Sequence, residues 1–148
     1  MSRARWRNAF AQNAYVFVRV TPGGFVGHGI ARDTLEGRVV KAHLVRKRFE
    51  DGQLTCDAQD GITARDGTHC DACRHPLCAP QLRLHLRQGS TTYVLDLAVT
   101  SAQNFIALDQ AITATGGQLE NEDLVLRVHP HGHWGEVLFR RRNHLEGM

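Results

Sequence analysis

The sequence predicts a mainly β domain with one helix and a cysteine-bearing insert. Three observations lead to this prediction. Several short segments alternate apolar and polar residues with the period of two that is typical of strands, most clearly over 81–99. One segment, over 100–115, spaces its apolar residues as an amphipathic helix does. All four cysteines lie in 56–78, which has too few large aliphatic residues to build a core of its own.

The composition is that of an ordinary soluble globular protein. The chain has 148 residues, of which 42% are hydrophobic and 22% charged, and this suits one domain with its own core. No apolar run approaches the length of a membrane span. The first residues lack the apolar stretch of a secretory signal. We therefore expect a cytoplasmic protein with no membrane partner.

The net charge of +3 hides an asymmetry along the chain. Residues 1–48 carry a net charge of +8 and residues 49–148 a net charge of −5. Such a division favours a polyanion partner on one face. Of the 18 basic residues only Lys41 and Lys47 are lysines, and arginine suits phosphate binding and base stacking. Codon usage in a GC-rich genome is an alternative explanation of the arginine excess.

The N-terminal part, 1–37, is expected to form a basic arm and a β-hairpin that packs on the main domain. Arginines and a tryptophan mark the arm. β-Branched and aromatic residues around a turn at 21–24 predict the hairpin over 15–30. The residues over 33–37 indicate a loop before the main domain.

The main domain, expected over 38–142, begins with a long strand. Over 38–49 apolar residues alternate with polar ones, and the strand ends in a basic run. A turn at 50–53 leads into the cysteine-bearing insert, which we place at 54–80. Residues 143–148 are expected to form a tail.

Alternation is most regular in the hairpin predicted over 81–99. Its turn is expected at 88–90, where glycine and serine follow glutamine. The residues expected to face the core are Leu82, Leu84, Leu86, Tyr93, Leu95, Leu97 and Val99.

A helix follows, with Thr100 or Ser101 as its expected cap and Gly116 and Gly117 at its end. Its core stripe consists of Phe105, Leu108 and Ile112. The remaining elements are expected to be a strand at 124–129, a loop at 130–135 and a last strand at 136–140.

The spacing of the cysteines predicts a metal site. Cys70 and Cys73 form the Cys-x-x-Cys pair that tetrahedral zinc prefers, and Cys56 and Cys78 complete four thiolate ligands. Four thiolates form a closed structural site with no position open for catalysis. An iron–sulfur cluster is an alternative, because it also takes four thiolates.

Two further interpretations of the cysteine-bearing insert stay open. Two disulfides are an alternative arrangement, although they are rare inside cells. His69 and His75 flank the cysteines, and either could replace a thiolate as a metal ligand.

The order of elements from residue 38 is strand, insert, strand, strand, helix, strand, strand. This is the order of an OB-fold, a five-stranded Greek-key barrel with one helix. The sequence therefore predicts an OB-like barrel with a zinc-ribbon insert between its first two strands and an added N-terminal hairpin.

The chain resembles the zinc-bearing, single-stranded-DNA-binding OB domain at the C-terminal part of the large subunit of replication protein A. That family also carries a zinc ribbon between its first two strands. Its Cys-x13-Cys-x2-Cys pattern is matched by Cys56, Cys70 and Cys73. The fourth cysteine differs, since the family places it before the first of these and this chain has Cys78 after the pair.

OB-folds bind oligonucleotides on the face of strands two and three, between the loop joining strands one and two and the loop joining strands four and five. Cations for phosphates and flat side chains for bases are needed there. The candidate residues at these places are Arg46, Lys47, Arg48, Phe49, Arg83, His85, Arg87, His131, His133 and Trp134.

Each group of candidates also has a simpler interpretation. The basic residues of the two strands are also compatible with an ordinary solvated surface. Trp134 would pack against the barrel end if it belonged to the core. The alternating histidines at 129, 131 and 133 could bind a metal instead.

We expect a non-catalytic protein that binds single-stranded nucleic acid. The resemblance implies DNA and an accessory role in replication, recombination or a mobile-element system, although the residues themselves do not separate DNA from RNA. No phosphate-binding glycine loop, nucleophile motif or deaminase signature is found in the sequence. The alternatives are a protein–protein interaction module with a structural zinc, using Tyr15, Phe17 and Phe25, and an iron–sulfur protein.

Overall fold

The computed structural model describes residues 14–65, 67, 69–70 and 78–142. The basic arm and the C-terminal tail predicted from the sequence lie outside these residues. The described elements are β1 Ala14–Thr21, β2 Gly24–Gly27, β3 Ile30–Arg32, β4 Thr34–Glu50, β5 Gln53–Ala58, β6 Cys78–Gln88, β7 Thr91–Leu97, α1 Val99–Ala114, β8 Leu124–His131 and β9 Trp134–Arg141. The prediction of a mainly β protein with one helix is confirmed for this part of the chain.

The strands pair in the order β3-β2-β1-β7-β6-β4-β8-β9, and β5 pairs with the end of β4. The elements β4, β6, β7, α1, β8 and β9 follow one another along the chain as the sequence predicted. Within the described ranges no ladder joins β9 to β1, β2 or β3. The sheet is therefore open where a closed barrel was expected.

Strand β4 is the longest element and changes its pairing partner along its length. Its first residues pair with β8, and from Arg38 onward it pairs with β6. Gly37 lies at the change of partner with φ of 155°, and a Cβ there would be 2.4 Å from the carbonyl oxygen of Arg87. A register shift between Val39 and Lys41 follows directly. The loop predicted over 33–37 was therefore wrong for 34–37, which belong to β4, and only Asp33 connects β3 to β4.

The N-terminal hairpin belongs to the same sheet as the main strands. β1 and β2 form the predicted antiparallel pair. β1 also pairs in parallel with β7, from Ala14 beside Thr91 to Val18 beside Leu95. The far end of β1 approaches β9, since a Cβ at Gly135 would lie 2.6 Å from the Thr21 carbonyl oxygen. β1 thus occupies the space between β7 and β9.

One core joins residues of the strands and of α1. Strand β6 follows the predicted alternation, but β7 is buried on both faces from Thr92 to Leu95. The fully buried leucines include Leu84, Leu86, Leu95 and Leu97. Further fully buried side chains are Phe25, Leu35, Val45, Val94, Ile112, Leu124, Leu126 and Val137. Val99 was predicted to face the core but is 55% exposed, because the strand ends at Leu97 and Val99 begins the helix.

The helix α1 packs through Phe105 and Ile112, as its spacing predicted. The N-cap residue is Ala98, and no side chain makes a capping hydrogen bond there. The prediction that Thr100 or Ser101 caps the helix was therefore wrong. Ser101 lies inside the first turn, and its buried hydroxyl accepts a 2.9 Å hydrogen bond from the Val137 amide. That bond joins α1 to β9. Among the described helices none combines the length and apolarity that crossing a membrane requires.

Two further predictions were wrong. The loop expected over 130–135 is a tight hairpin turn, because β8 continues to His131 and β9 begins at Trp134. Gly132 adopts the positive φ of 65° that the turn needs. Strand β5 was not predicted: Leu54, Cys56 and Ala58 alternate with polar residues, but this segment was assigned to the cysteine-bearing insert.

Candidate nucleic-acid interface and cysteine cavity

An open groove crosses the sheet on the face expected to bind nucleic acid. It has a volume of about 710 Å³ and lies between β1, the end of β4, strands β6 and β7, and the β8–β9 turn. The residues that bring aromatic or charged groups to it include Phe17, Lys47, Phe49, Arg83, Asp96 and Trp134. We call it the aromatic groove, after Phe17, Phe49 and Trp134.

These three aromatic side chains are unusually exposed. Phe17 is 66% exposed, Phe49 50% and Trp134 39%. Large aromatic side chains are normally buried in the core. Because these three are exposed on one groove, the faces of their rings are available for stacking. The alternative that Trp134 belongs to the core is wrong.

Trp134 is held in place from one side. Its ring stacks on that of His131, with centroids 4.5 Å apart and planes 16° apart. His131 Nε2 donates to Glu136 Oε1 over 2.7 Å, and Asn104 Nδ2 donates to Glu136 Oε2 over the same distance. The hydrogen bonds from Asn104 and His131 lower the pKa of Glu136. His131 thus supports the tryptophan, while His133 lines the groove directly.

The two central cations of the aromatic groove share one carboxylate. Arg83 donates to Asp96 through Nε over 2.8 Å and through Nη2 over 3.1 Å. Lys47 Nζ donates to the second oxygen of the same carboxylate. Burial alone would raise the pKa of Asp96, but the hydrogen bonds from Arg83 and Lys47 outweigh it and the pKa is lowered. Asp96 is therefore a carboxylate at neutral pH.

Strand alternation divides the basic run that ends β4. Lys47 and Phe49 face the aromatic groove. Arg46 and Arg48 lie on the opposite face, where they line a cavity with cysteines. Arg46 Nε donates to the Gly61 carbonyl over 3.2 Å. The run was predicted as one cluster, but a period of two sends consecutive side chains to opposite faces.

The candidates on β6 are also separated. Arg83 lies in the aromatic groove, while Arg87 lies near the far end of the sheet, where its Nε donates to the Gly89 carbonyl over 3.2 Å. His85 lines a neighbouring depression of about 550 Å³ that shares Phe17 and Arg83 with the groove. The structure thus brings together only part of the predicted set.

His85 stacks on His43 with ring centroids 5.7 Å apart. His43 Nδ1 and His85 Nε2 are buried and have no hydrogen-bond partner among the described atoms. Burial lowers the pKa of both imidazoles, and the nearby charge of Lys41 lowers it further. Both rings are therefore neutral near pH 7, so His85 contributes a flat side chain and no cation.

Two groove residues were missed as nucleic-acid-binding candidates. Phe17 was assigned to a protein-binding patch, and Arg19 was not predicted to take part. Both stand on β1, and the parallel pairing of β1 with β7 leaves no local signal in the sequence. Arg83 lies over the Phe17 ring, with its guanidinium carbon 6.0 Å from the ring centroid.

The cysteine residues converge on the opposite face of β4. Cys56 on β5, Cys78 on β6 and Cys70 between these strands line one small cavity of about 20 Å³. All three are half-buried, and Cys56 and Cys78 are free thiols. We call the space that these three residues line the cysteine cavity. Cys73 and His75 lie outside the described residues.

The described part of the cysteine cavity does not by itself form a complete metal site. Over the residues that the structure covers, no group of three or more His, Cys, Asp or Glu side chains is arranged to hold a metal ion. The same holds for the alternating histidines of β8 and the β8–β9 turn, where His131 is engaged by Glu136.

Comparison with known proteins found no matching family model, no matching curated protein and no matching solved structure. The function is therefore inferred from the aromatic groove and the cysteine cavity themselves.

Proposed function

We propose that this protein binds single-stranded nucleic acid, and DNA in particular, in the aromatic groove without catalysing a reaction. The observation that carries the proposal is the grouping of Phe17, Phe49 and Trp134, all exposed, around one open groove that also holds Lys47 and Arg83. Non-sequence-specific binding of single strands requires this combination of rings for bases and cations for phosphates.

The magnitudes favour moderate affinity. Each stacked base contributes on the order of 1–3 kcal/mol. The cations add a salt-dependent contribution through the release of counterions, and Asp96 reduces it because it neutralises one of the two central charges. Stacking thus supplies a part of the binding free energy that depends less on salt than the contribution of the cations. Because every base has a flat face that can stack, little base selectivity is expected.

The proposed architecture is an OB-like barrel in which β1 fills the space between β7 and β9. The strand order from β4 to β9 and the close approach of Gly135 to Thr21 support this arrangement. The groove then lies on the face of β6 and β7, where OB-folds bind oligonucleotides. An accessory role in replication, recombination or a mobile-element system is part of the same proposal and rests on the resemblance.

We further propose that a structural zinc is held by Cys56, Cys70, Cys73 and Cys78. The convergence of the three described cysteines on one cavity supports it. Four thiolates suit zinc, and a metal would supply the ordering energy that the polar residues around them lack. The metal would stabilise the fold and take no part in binding chemistry.

The proposal is tested by fluorescence anisotropy with a labelled DNA single strand of about thirty nucleotides, a length that spans more than one OB-type site. We expect saturable binding that weakens with salt, and weaker binding to a duplex of equal length. An RNA strand of the same sequence identifies the preferred nucleic acid. Absence of single-strand binding even at low salt would refute the proposal.

A protein-interaction module is the second candidate, because Tyr15 joins Phe17 on the exposed face of β1 and is 60% exposed. Phe25, the third residue expected in such a patch, is fully buried, so the patch is smaller than the sequence predicted. A failed single-strand binding test would favour this candidate.

A further inference from the structure

The carboxylate of Asp96 occupies the position of an anion between two cations on the floor of the aromatic groove. Its side chain is 15% exposed, compared with 21% for Lys47 and 13% for Arg83. Asp96 and Arg83 are direct cross-strand partners of β7 and β6, so the backbone holds them together. Two cations and one carboxylate leave a single net positive charge at this point.

The two cations differ in how firmly they are held. Arg83 binds both carboxylate oxygens with two N–H groups and also donates through Nη1 to Gln59. A planar guanidinium in such a two-point pair is rigid. Lys47 holds Asp96 through the end of a flexible stem, and its ammonium has three N–H donors. Lys47 is therefore the cation that can turn toward a second anion at small cost.

We propose that Lys47 binds a backbone phosphate of the nucleic-acid strand, and that this phosphate competes with Asp96 for the ammonium group of Lys47. The inference rests on the proposed function of the groove. In the free protein Lys47 points to Asp96. When a strand lies across Phe17, Phe49 and Trp134, a backbone phosphate takes one or more N–H groups of Lys47, while Arg83 stays paired with Asp96. Asp96 thereby limits the affinity of the groove and keeps Lys47 positioned.

The test compares Asp96→Asn with wild type in the anisotropy assay across a salt series. Asparagine keeps an oxygen acceptor for Arg83 but removes the negative charge. We expect about three- to tenfold tighter binding to the single strand at low salt, because a charge within a few ångströms of the bound phosphate is removed. The matched control is Asp123→Asn, which removes a carboxylate from the exposed Arg38 pair in another pocket and changes the net charge equally.

A second variant, Lys47→Ala, keeps the inference testable if Asp96→Asn does not fold. It should weaken binding several-fold and reduce the slope of log K against log salt by about 0.7, the contribution of one phosphate on a single strand. Circular dichroism and thermal unfolding verify that each variant is folded.

The outcomes separate the two proposals. If wild type does not bind, the proposed function fails. If wild type binds but Asp96→Asn tightens binding no more than Asp123→Asn does, or if Lys47→Ala leaves the salt slope unchanged, the function stands and the role of Lys47 and Asp96 is overturned.

Discussion

The aromatic groove and the cysteine cavity lie on opposite faces of β4, yet different forces fix their geometry. Groove residues such as Lys47 and Arg83 stand on strands whose ladders run through the centre of the sheet. Beneath those ladders lie fully buried leucines, including Leu84 and Leu95. The groove is therefore positioned by the main core of the domain.

The described residues of 58–70, by contrast, make mainly polar contacts, and most of these are local. Asp60 Oδ1 accepts hydrogen bonds from the amides of Ile62 and Thr63, both over 2.9 Å, and these bonds lower the pKa of Asp60. The Cys70 amide donates to the Ile62 carbonyl over 2.6 Å. Such contacts stabilise a turn but bury little apolar surface. We therefore expect the two sites beside β4 to differ in origin. The aromatic groove forms when the core folds, whereas the cysteine cavity needs a metal to become ordered.

Removing the metal should give the largest effect, and it should be confined to the cysteine side. We expect Cys70→Ser to lower the zinc content from about one ion per chain to nearly none, because a tetrahedral site loses a ligand. Amide protection over 58–70 should then fall, while β6 and β7 remain protected. Metal analysis and hydrogen-exchange mass spectrometry measure the two effects.

The control for the metal prediction is Thr113→Ser, an exposed change on α1 that should alter neither quantity. Single-strand affinity of Cys70→Ser should stay within about twofold of wild type, since the groove rests on the sheet. Wild-type protein that contains no zinc would contradict the prediction, and bound iron with visible absorption would identify the iron–sulfur alternative.

An intermediate effect is expected on the groove side from Trp134→Ala. The loss of one stacked base, on the order of 1–3 kcal/mol, corresponds to about 5- to 150-fold weaker binding. Trp134→Phe should retain most of the affinity because a ring remains. Ile106→Ala, an exposed apolar change on α1, is the control and should bind as wild type does. Equal affinity of Trp134→Ala and wild type would remove Trp134 from the site.

The elements that could be predicted from the sequence are those whose partners are close along the chain. The alternation over 81–99 predicted Leu84 and Leu86 in the core, and the spacing of α1 predicted Phe105 and Ile112. The hairpin of β1 and β2 followed from its turn residues. For β6 and α1 the periodicity reflects a face that packs against the core.

The other features depend on contacts between distant parts of the chain. The parallel pairing of β1 with β7 brings Phe17 into the groove, and no residue near Phe17 signals it. In the sequence Asp96 has the pattern of an ordinary solvated strand residue. Only the structure shows that Lys47 and Arg83 bind its carboxylate. Sequence alternation could have separated Lys47 from its two arginine neighbours, but only the register shows which face carries the groove.

The smallest predicted effect concerns pH and the stacked pair His43 and His85. Burial lowers both pKa values below their unfolded value of about 6.5, so the unfolded chain binds more protons in this range. The free energy of unfolding should therefore decrease as the pH falls from about 7 toward 5. Carboxylates with lowered pKa values, such as Asp96 and Glu136, affect stability only at lower pH. Urea denaturation of wild type and of the double variant His43→Gln/His85→Gln measures the difference. A shallower slope in the variant is expected because the two buried imidazoles are gone, and equal slopes would show that other groups set the pH dependence.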